Sequence, residues 1–430
     1  MSTAKYLLAA LTAITLPVTA SAQDFAITNA TIAIGDGGEP IQGGTVVVRG
    51  GKIVAAGTGV NVPADVQTHD GSGMWVTPGI FAAMTDLGLL DVGAVDESND
   101  AGAGNSPFNA ALDISPAINP SSQHIAISRA GGVTRASITS GPANSIFAGQ
   151  GAIIDTGADA NAITKARAFQ MVVLGEAGAR LSGGSRIATN VALRNALREA
   201  AEFAAGDWEG EEALLTRADA AALGVVVTGK QKLYIHVERA SDIRQVLAMR
   251  GEFPKLDMVL VGVSEGWLVA DEIAASGVPV IADALDNLPA SFEELAATQS
   301  NVGRMVDAGV KVAIGGMTGT EQPRNALQYA GNLVALNKVP RATGLSWGEA
   351  LATITSVPAS ISGMAGQLGA LTPGAAGDVV MWDGDPLELS SAPVKVFIDG
   401  IEQPFDNHQT RLRERYRDLD ESDLPKAYDW

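Results

Sequence analysis

The 430-residue sequence has no cysteine and only four histidines, and both scarcities restrict what the protein can do. Without cysteine there is no disulfide, no thiolate metal ligand and no cysteine nucleophile. A histidine-rich metal centre is hard to build from His69, His124, His236 and His408, which lie far apart in the sequence. The sequence also lacks a G-x-S-x-G elbow, a Walker loop and a Rossmann fingerprint.

Long apolar runs are scarce as well, and the one near the N-terminus is too short to cross a bilayer. Lys5 precedes an apolar stretch at residues 6–18, and the small residues Ala20-Ser21-Ala22 follow it. This order is typical of a secretory signal peptide over residues 1–22. We therefore expect cleavage near Ala22, a mature chain beginning at Gln23, and a periplasmic location. No later segment predicts a membrane span.

Acidic residues outnumber basic ones by 48 to 29, which gives a formal net charge of −19. A surface of this sign repels nucleic acid and anionic lipid, so neither is an expected partner. The plainest interpretation of the charge is solubility, and a small-molecule ligand or substrate is the partner we expect. The chain length and the 46% hydrophobic content predict one large domain and a smaller one.

The hydrophobic pattern divides the chain into two kinds of region. Residues 23–78 and 364–406 contain short strands separated by turns, which predicts a small β-domain. Between residues 79 and 363, short apolar runs alternate with helical patterns, which predicts a parallel sheet of about eight β/α units and thus a (β/α)8 barrel. Residues 407–430 are charged and predict a surface helix and tail. The predicted barrel strands include 132–138, 170–174, 233–236, 258–261, 278–281 and 310–314, and the predicted helices include 190–203, 240–250, 266–275 and 292–308.

Several motifs recur in the order and spacing of one enzyme superfamily. On these motifs the chain resembles the amidohydrolases, in particular their imidazolonepropionase-like, exported branch. The resemblance implies a (β/α)8 TIM-type barrel inserted into a small β-sandwich domain built from both chain ends. The motifs are Thr77-Pro78-Gly79, Ala130-Gly-Gly-Val-Thr134, His236 with Glu238-Arg239-Ala240, Leu345-Ser-Trp-Gly-Glu-Ala-Leu351, Gly369-Ala-Leu-Thr-Pro-Gly374 and Trp382-Asp-Gly-Asp-Pro-Leu387.

The same resemblance implies metal ligands at positions where this sequence departs from the family. The family pattern has His-x-His on the first barrel strand, where this chain has Met84 and Asp86. The pattern places an aspartate on the eighth strand, where this chain has Gly316 or Met317, and a histidine on the sixth, where Glu265 is the nearest polar residue. The site residues that remain are Asp86, His236 and Glu176 for one divalent metal such as zinc, with Arg186 and Glu265 as candidates for contact with substrate.

Each candidate also has a plainer interpretation. His236 is a core histidine if it is hydrogen bonded, and Asp86 is a turn or helix-capping residue before Leu87-Gly88. Glu176 and Glu265 are ion-pair partners of arginines in that interpretation, and Arg186 pairs locally instead of holding a substrate carboxylate. The acidic segment 90–100 is a solvated loop or a calcium site, and the glycines near Gly149-Gln150-Gly151 form tight turns or hold an anion.

Two functions follow from the resemblance. The first is a hydrolase that acts on carbon–nitrogen bonds other than peptide bonds, with an atypical or degraded metal site. The second is a catalytically inactive pseudoenzyme that serves as a binding protein or as a partner subunit of an active homologue, in a homo- or hetero-oligomer.

Overall fold

A computed structural model of the protein describes residues 22–316 and 323–417. Nearly all of the predicted signal peptide and the end of the charged tail lie outside the described residues, as does Met317. No helix in the described ranges is long and apolar enough to cross a membrane.

The two chain ends meet in one mixed sheet of eight strands. Five strands come from the N-terminal part, and β14 to β16 come from the C-terminal part and extend the sheet beyond β5. The strand order is β16-β15-β14-β5-β1-β2-β3, and β4 also pairs with β1. The strands are β1 (Phe25–Ile32), β2 (Ile41–Arg49), β3 (Lys52–Gly57), β4 (Gln67–Asp70), β5 (Trp75–Pro78), β14 (Val379–Trp382), β15 (Pro393–Ile398) and β16 (Ile401–Glu402).

The middle of the chain forms a second eight-stranded sheet that curls into a nearly closed barrel, as the alternating pattern predicts. Its strands follow one another in sequence order from β6 to β13. They are β6 (Ile80–Thr85), β7 (Val133–Ile138), β8 (Phe147–Asp155), β9 (Ile163–Val173), β10 (Lys232–Val237), β11 (Met258–Gly262), β12 (Val280–Ala282) and β13 (Val312–Ile314).

The third barrel strand runs against the direction of the others. Strand β8 pairs antiparallel with both β7 and β9, whereas the remaining neighbours in the barrel are parallel. Gly149 and Gly151 lie inside this strand and not in a turn. Between β6 and β13, the backbone carbonyls of Thr353 and Ile354 accept hydrogen bonds from the backbone N–H groups of Ile314 (3.1 Å) and Phe81 (2.8 Å), respectively. Residues 353 and 354 thus bridge the first and last strands of the barrel.

Helices cover the outside of the barrel, and most of the predicted ones form. The predicted helix at 292–308 is shorter, because Asn301–Asp307 alone is α-helical. Before it, the backbone N–H of Ala296 donates to Glu265, and the carbonyl of Ala296 accepts from the indole of Trp267. The helices are α1 (Gln123–Ala130), α2 (Gly175–Leu181), α3 (Arg186–Ala205), α4 (Arg217–Val227), α5 (Ala240–Ala248), α6 (Ala270–Ser276), α7 (Asn301–Asp307), α8 (Ala326–Ala335), α9 (Trp347–Ala352), α10 (Ser356–Ile361) and α11 (His408–Tyr416).

Side chains fill the barrel interior below the C-terminal ends of its strands. Phe169 on β9 and Tyr234 on β10 stack with ring centroids 4.1 Å apart. Because side chains alternate along a strand, the residues two positions further on, Met171 and His236, point to the same face, one layer higher. The interior is therefore a packed core with space left at the strands' C-terminal ends, which is where barrel enzymes carry their sites.

A buried arginine joins the barrel to the sheet that is formed by the two chain ends. Arg135 on β7 makes two hydrogen bonds to the carboxylate of Asp378, at 2.7 and 3.0 Å, and an ion pair with Asp399 at 2.8 Å. Asp155 on β8 lies further away, at 3.9 Å. Asp378 directly precedes β14, so the guanidinium fixes the return of the chain to its first domain.

Candidate functional site

A cavity of about 460 Å³ opens at the C-terminal ends of the barrel strands. Among the described residues, three ionisable side chains line it from three different strand ends: Asp86 after β6, His236 on β10 and Asp283 after β12. Asp283 was missed by the sequence analysis, although Ile281 and Asp283 have the i, i+2 spacing of residues on one strand face. The other described lining residues are Met84, Ala101, Thr139, Ser140, Gly141, Pro142, Met171, Val173, Val261, Gly262, Ile281 and Gly316.

The strand pairing on both sides holds His236 in place. Its Cα is opposite Val173 of β9 and Val261 of β11. On the ring, Nε2 lies 2.9 Å from a carboxylate oxygen of Glu238. The other ring nitrogen, Nδ1, is enclosed and has no hydrogen-bond partner among the described residues. The contact with Glu238 therefore fixes the ring, and the enclosed Nδ1 is a buried polar atom without a partner among the described residues.

The buried carboxylate of Glu238 contacts both His236 and Ser264, which follows the next strand, β11. Its second oxygen accepts hydrogen bonds from the backbone N–H and the hydroxyl of Ser264, each at 2.8 Å. Burial alone raises the pKa of Glu238, but the hydrogen bonds from His236 and Ser264 outweigh it and leave the pKa below its usual value. These hydrogen bonds thus favour the ionised form of the carboxylate.

The same contact favours the charged form of His236. Burial lowers the pKa of the imidazole, whereas the hydrogen bond and the charge of Glu238 raise it, with smaller contributions from Glu293 and Asp283. The net effect places the pKa above the usual histidine value. The raised pKa favours the protonated imidazole, which is the form that is able to donate a proton.

Two glycines at strand ends make room for carboxylates from the preceding strand. A Cβ on Gly262, at the end of β11, would lie 2.0 Å from an oxygen of Glu238. A Cβ on Gly316, just beyond β13, would lie 2.2 Å from an oxygen of Asp283. Both glycines have positive φ, +85° and +84°. The carboxylates of Glu238 and Asp283 therefore occupy space where side chains of the sixth and eighth strands would begin.

The backbone is unusual where β11 ends. Val263 follows Gly262 with φ +62°, a left-handed conformation that a β-branched residue rarely adopts. Hydrogen bonds hold it there, because its N–H donates to Val237 and its carbonyl accepts from the Asn301 amide, both at 2.9 Å. Strain of this kind is concentrated at functional sites and persists only when the surroundings enforce it.

The remaining sequence candidates lie around the cavity and not in its lining. Arg186 pairs with Asp242 at 2.8 Å and with Glu293 at 2.7 Å, and its distance to Glu176 is 4.0 Å. Glu293 also accepts the backbone N–H of Glu176 at 2.7 Å. This cluster ties the segment after β12 to the end of β9. The carboxylate of Glu265 accepts two backbone N–H groups, those of Ala240 and Ala296.

The described residues do not fit a complete metal centre. His236 alone has the arrangement of a ligand, with one nitrogen on a carboxylate and the other without a partner. A protein zinc site, however, takes at least three side-chain ligands. Within residues 22–316 and 323–417, no three histidine, aspartate or glutamate side chains converge in such an arrangement.

Comparison with known proteins identifies the family to which this architecture belongs. The model of the Amidohydrolase family matches residues 186–401, half of the chain, and the protein is a member of that family. A curated relative, amidohydrolase tasK from Hapsidospora irregularis, is 25% identical over 383 residues. That match covers 80% of this chain but only 38% of the relative, so the chain spans less than two fifths of the relative's length.

Solved structures agree with the fold. An amidohydrolase from Thermotoga maritima superimposes with a TM-score of 0.77 at 24% identity, over 88% of this chain and 99% of that one. Molinate hydrolase superimposes with a TM-score of 0.56 at 16% identity, over 90% and 95% of the two chains. At such identities these structures support the barrel and its accompanying β-domain, which the sequence predicts.

Proposed function

We propose that the protein is a hydrolase that acts on carbon–nitrogen bonds other than peptide bonds, and that it does so with an atypical site. The observation that carries this proposal is the position of Asp283. Its carboxylate lies against Gly316, at the end of the strand from which the family resemblance implies a proton-accepting aspartate. In this proposal Asp283, which follows β12, takes the place of the aspartate that the resemblance implies at Gly316 or Met317.

In this proposal the cavity performs acid–base hydrolysis. Asp283 takes a proton from a water molecule, whose oxygen attacks the carbon of the C–N bond. His236, held by Glu238, donates its proton to the nitrogen as the bond breaks, and the amine leaves. The proposal requires opposite protonation states in one cavity, with an ionised Asp283 and a protonated His236.

The test is amine release from a panel of acylated amines and cyclic amides by the full chain. We expect turnover in the wild type and a loss of about 10²- to 10⁴-fold in His236→Gln. The matched control is His408→Gln, because His408 is exposed at the start of α11 and distant in sequence from every barrel strand. Absence of turnover across the panel, or equal rates in the two variants, would refute the proposal.

The second candidate function is a binding protein or partner subunit without catalysis. The observation that favours it is the lack, within the described residues, of three converging metal ligands. Elemental analysis of the purified chain and of His236→Ala separates an atypical metal enzyme from both alternatives. Stoichiometric metal that disappears in the variant supports a reduced site with His236, Asp86 and Glu176, whereas a co-purified homologue supports the partner subunit.

Export to the periplasm belongs to the same proposal and rests on residues 1–22. N-terminal sequencing of the protein from a periplasmic fraction tests it. A chain that begins at Gln23 supports cleavage after Ala22, and a chain recovered with Met1 in the cytoplasmic fraction refutes it.

A further inference from the structure

Four neighbouring side chains form one row across the barrel beside the cavity. The strand registers place Val173 of β9, His236 of β10, Val261 of β11 and Ile281 of β12 side by side, and all four line the cavity. The three aliphatic members are buried and belong to the hydrophobic cluster of the barrel interior. In this row the cavity wall is therefore continuous with the apolar core, and His236 is its one polar member.

Two methionines extend this apolar surface. Met171 precedes Val173 on the same face of β9, and Met84 lies on β6, at a position where the family resemblance implies a metal-binding histidine. Both methionine side chains are buried. Methionine is flexible and adapts its shape to irregular apolar neighbours. The apolar floor of the cavity is formed by these two residues and three members of the row: Met84, Met171, Val173, Val261 and Ile281.

The charged groups of the lining are nearer to solvent than this floor or already have partners. Met84 and Ile281 are buried, whereas Asp86 and Asp283, each two residues further along the chain, are partly exposed and exposed, respectively. Both aspartates have an interaction partner, and His236 is bound to a carboxylate at 2.9 Å. No lysine or arginine is among the described residues that line the cavity. What the described lining offers to a ligand is therefore mainly its apolar floor.

The size and polarity of the floor select the group that lies on it. A volume of about 460 Å³ accommodates a small molecule. Each methylene group that leaves water for such a surface strengthens binding about fourfold. A charged group in the same place loses its hydration without gaining a partner of opposite charge. An uncharged aliphatic group is therefore the occupant that fits the floor.

We propose that the substrates are neutral amides with a short aliphatic group, and that this group lies on the apolar floor while the polar part of the molecule faces the solvent. The scissile C–N bond is then beside His236, and the aliphatic group is against Val261 and Ile281. The inference rests on the proposed function for the scissile bond, and on the lining alone for the aliphatic group. It gives Met84 the role of an apolar contact with the substrate in place of a metal ligand.

Three probes of similar length test the preference for an uncharged group. N-methylheptanamide ends in a methyl group, 6-amino-N-methylhexanamide in an ammonium group and 6-(methylamino)-6-oxohexanoate in a carboxylate. In NMR titrations of the full chain, the neutral probe is expected to bind about 10- to 100-fold more tightly than either charged probe. N-methylpentanamide, which is two methylene groups shorter, is expected to bind about 10- to 20-fold more weakly than N-methylheptanamide. Equal affinities for the three probes, or tighter binding of a charged one, would overturn the inference.

Two variants on β11 assign the preference to the floor. Val261→Thr nearly keeps the size of the side chain and adds a hydroxyl, which a bound aliphatic group would leave without a partner. We expect this change to weaken the binding of N-methylheptanamide about 5- to 50-fold. Val259→Thr is the matched control one layer deeper, because Val259 is buried opposite Tyr234 and does not line the cavity. It should leave the affinity within about twofold of the wild type, and equal losses in the two variants would overturn the inference.

Binding and hydrolysis are measured separately, so the failure of one proposal is distinguishable from the failure of the other. Preferred binding of the neutral probe without amine release from any amide supports the neutral aliphatic ligand and refutes the hydrolase. Amine release with equal affinities for the neutral and charged probes refutes the inference and supports the hydrolase. Urea unfolding confirms that both β11 variants are folded, and the probe series in the wild type tests the inference without them. Failure of N-methylheptanamide to bind overturns the inference directly.

Discussion

Two buried charged clusters differ in how completely they are paired. At the domain junction, the guanidinium of Arg135 is matched on each nitrogen by the carboxylates of Asp378 and Asp399 and the hydroxyl of Thr164. At the barrel mouth, His236 has one matched nitrogen and one without a partner among the described residues. A fully matched cluster leaves no polar atom without a partner, whereas His236 lines a cavity and keeps one ring nitrogen unmatched among the described residues.

Replacing Arg135 by methionine is expected to have the largest effect on stability. The change leaves buried carboxylates without their cation and should lower the free energy of unfolding by about 3–5 kcal/mol. Urea unfolding measures it. Arg49→Met is the control, because Arg49 pairs with Asp24 and Asp65 at a solvated surface and should cost about 1 kcal/mol or less. Equal losses would show that the junction cluster is not a special stabilising feature.

The next largest effect is expected from Gly262→Ala. The new Cβ would lie 2.0 Å from Glu238 in addition to the cost of φ +85°. We expect a loss of about 2–4 kcal/mol in the free energy of unfolding. In Gly184→Ala the backbone is similar, with φ +82°, but nothing lies within 4 Å, so backbone strain of about 1–2 kcal/mol is the whole cost. If Gly184→Ala costs as much as Gly262→Ala, the contact with Glu238 is unimportant.

Asp155→Asn is expected to stabilise the protein, because Asp155 is a surplus carboxylate beside a single arginine. Burial raises its pKa to about 6, although Arg135 opposes the shift. Ionisation of Asp155 therefore lowers the free energy of unfolding as the pH rises from about 4 to 6, and the loss persists above that range.

The asparagine side chain of the variant retains an acceptor for the N–H of Gly157. Above pH 6 the variant should gain up to about 3 kcal/mol, with no gain near pH 4. Thermal unfolding across this range measures the gain, and a gain that is independent of pH would contradict the account.

Glu238→Gln is expected to have the smallest effect on stability, lowering the free energy of unfolding by about 1–2 kcal/mol near neutral pH. It is also expected to change the pKa of His236. The raised pKa of His236 contributes stability at low pH that is lost as the pH rises through the folded-state value. The lowered pKa of Glu238 contributes stability at higher pH that is lost as the pH falls through its folded-state value. In the variant, the His236 pKa measured by NMR should fall. An unchanged pKa would mean that Glu238 does not hold the imidazolium.

The sequence predicts the architecture well, because the architecture depends on local periodicity. The strand that contains His236 and the long helix α3 both form where the pattern predicts them. Strand β8 was missed, since its glycines at 149 and 151 resemble turn residues while its pairing with β9 is set by distant partners. The helix predicted over residues 292–308 forms only from Asn301, and Glu293 before it is bound to Arg186 instead.

The site is less predictable than the fold. Family motifs point to Asp86 and His236, and the structure places both at one cavity. The contacts of Glu238 with Gly262 and of Asp283 with Gly316 cross from one strand to the next, so no spacing along the chain reveals them. A sequence with a glycine at a ligand position indicates loss of a side chain there. It does not show that a neighbouring carboxylate fills the space.

The most direct test of the proposed site is the rate of amine release by Asp283→Asn, compared with the wild type and with the exposed control Asp207→Asn. If Asp283 is the proton acceptor, the rate in Asp283→Asn falls by about 10²- to 10⁴-fold while Asp207→Asn matches the wild type. If Asp283→Asn hydrolyses the substrate as fast as the wild type, the carboxylate beside Gly316 has no part in the chemistry and the proposed site is wrong.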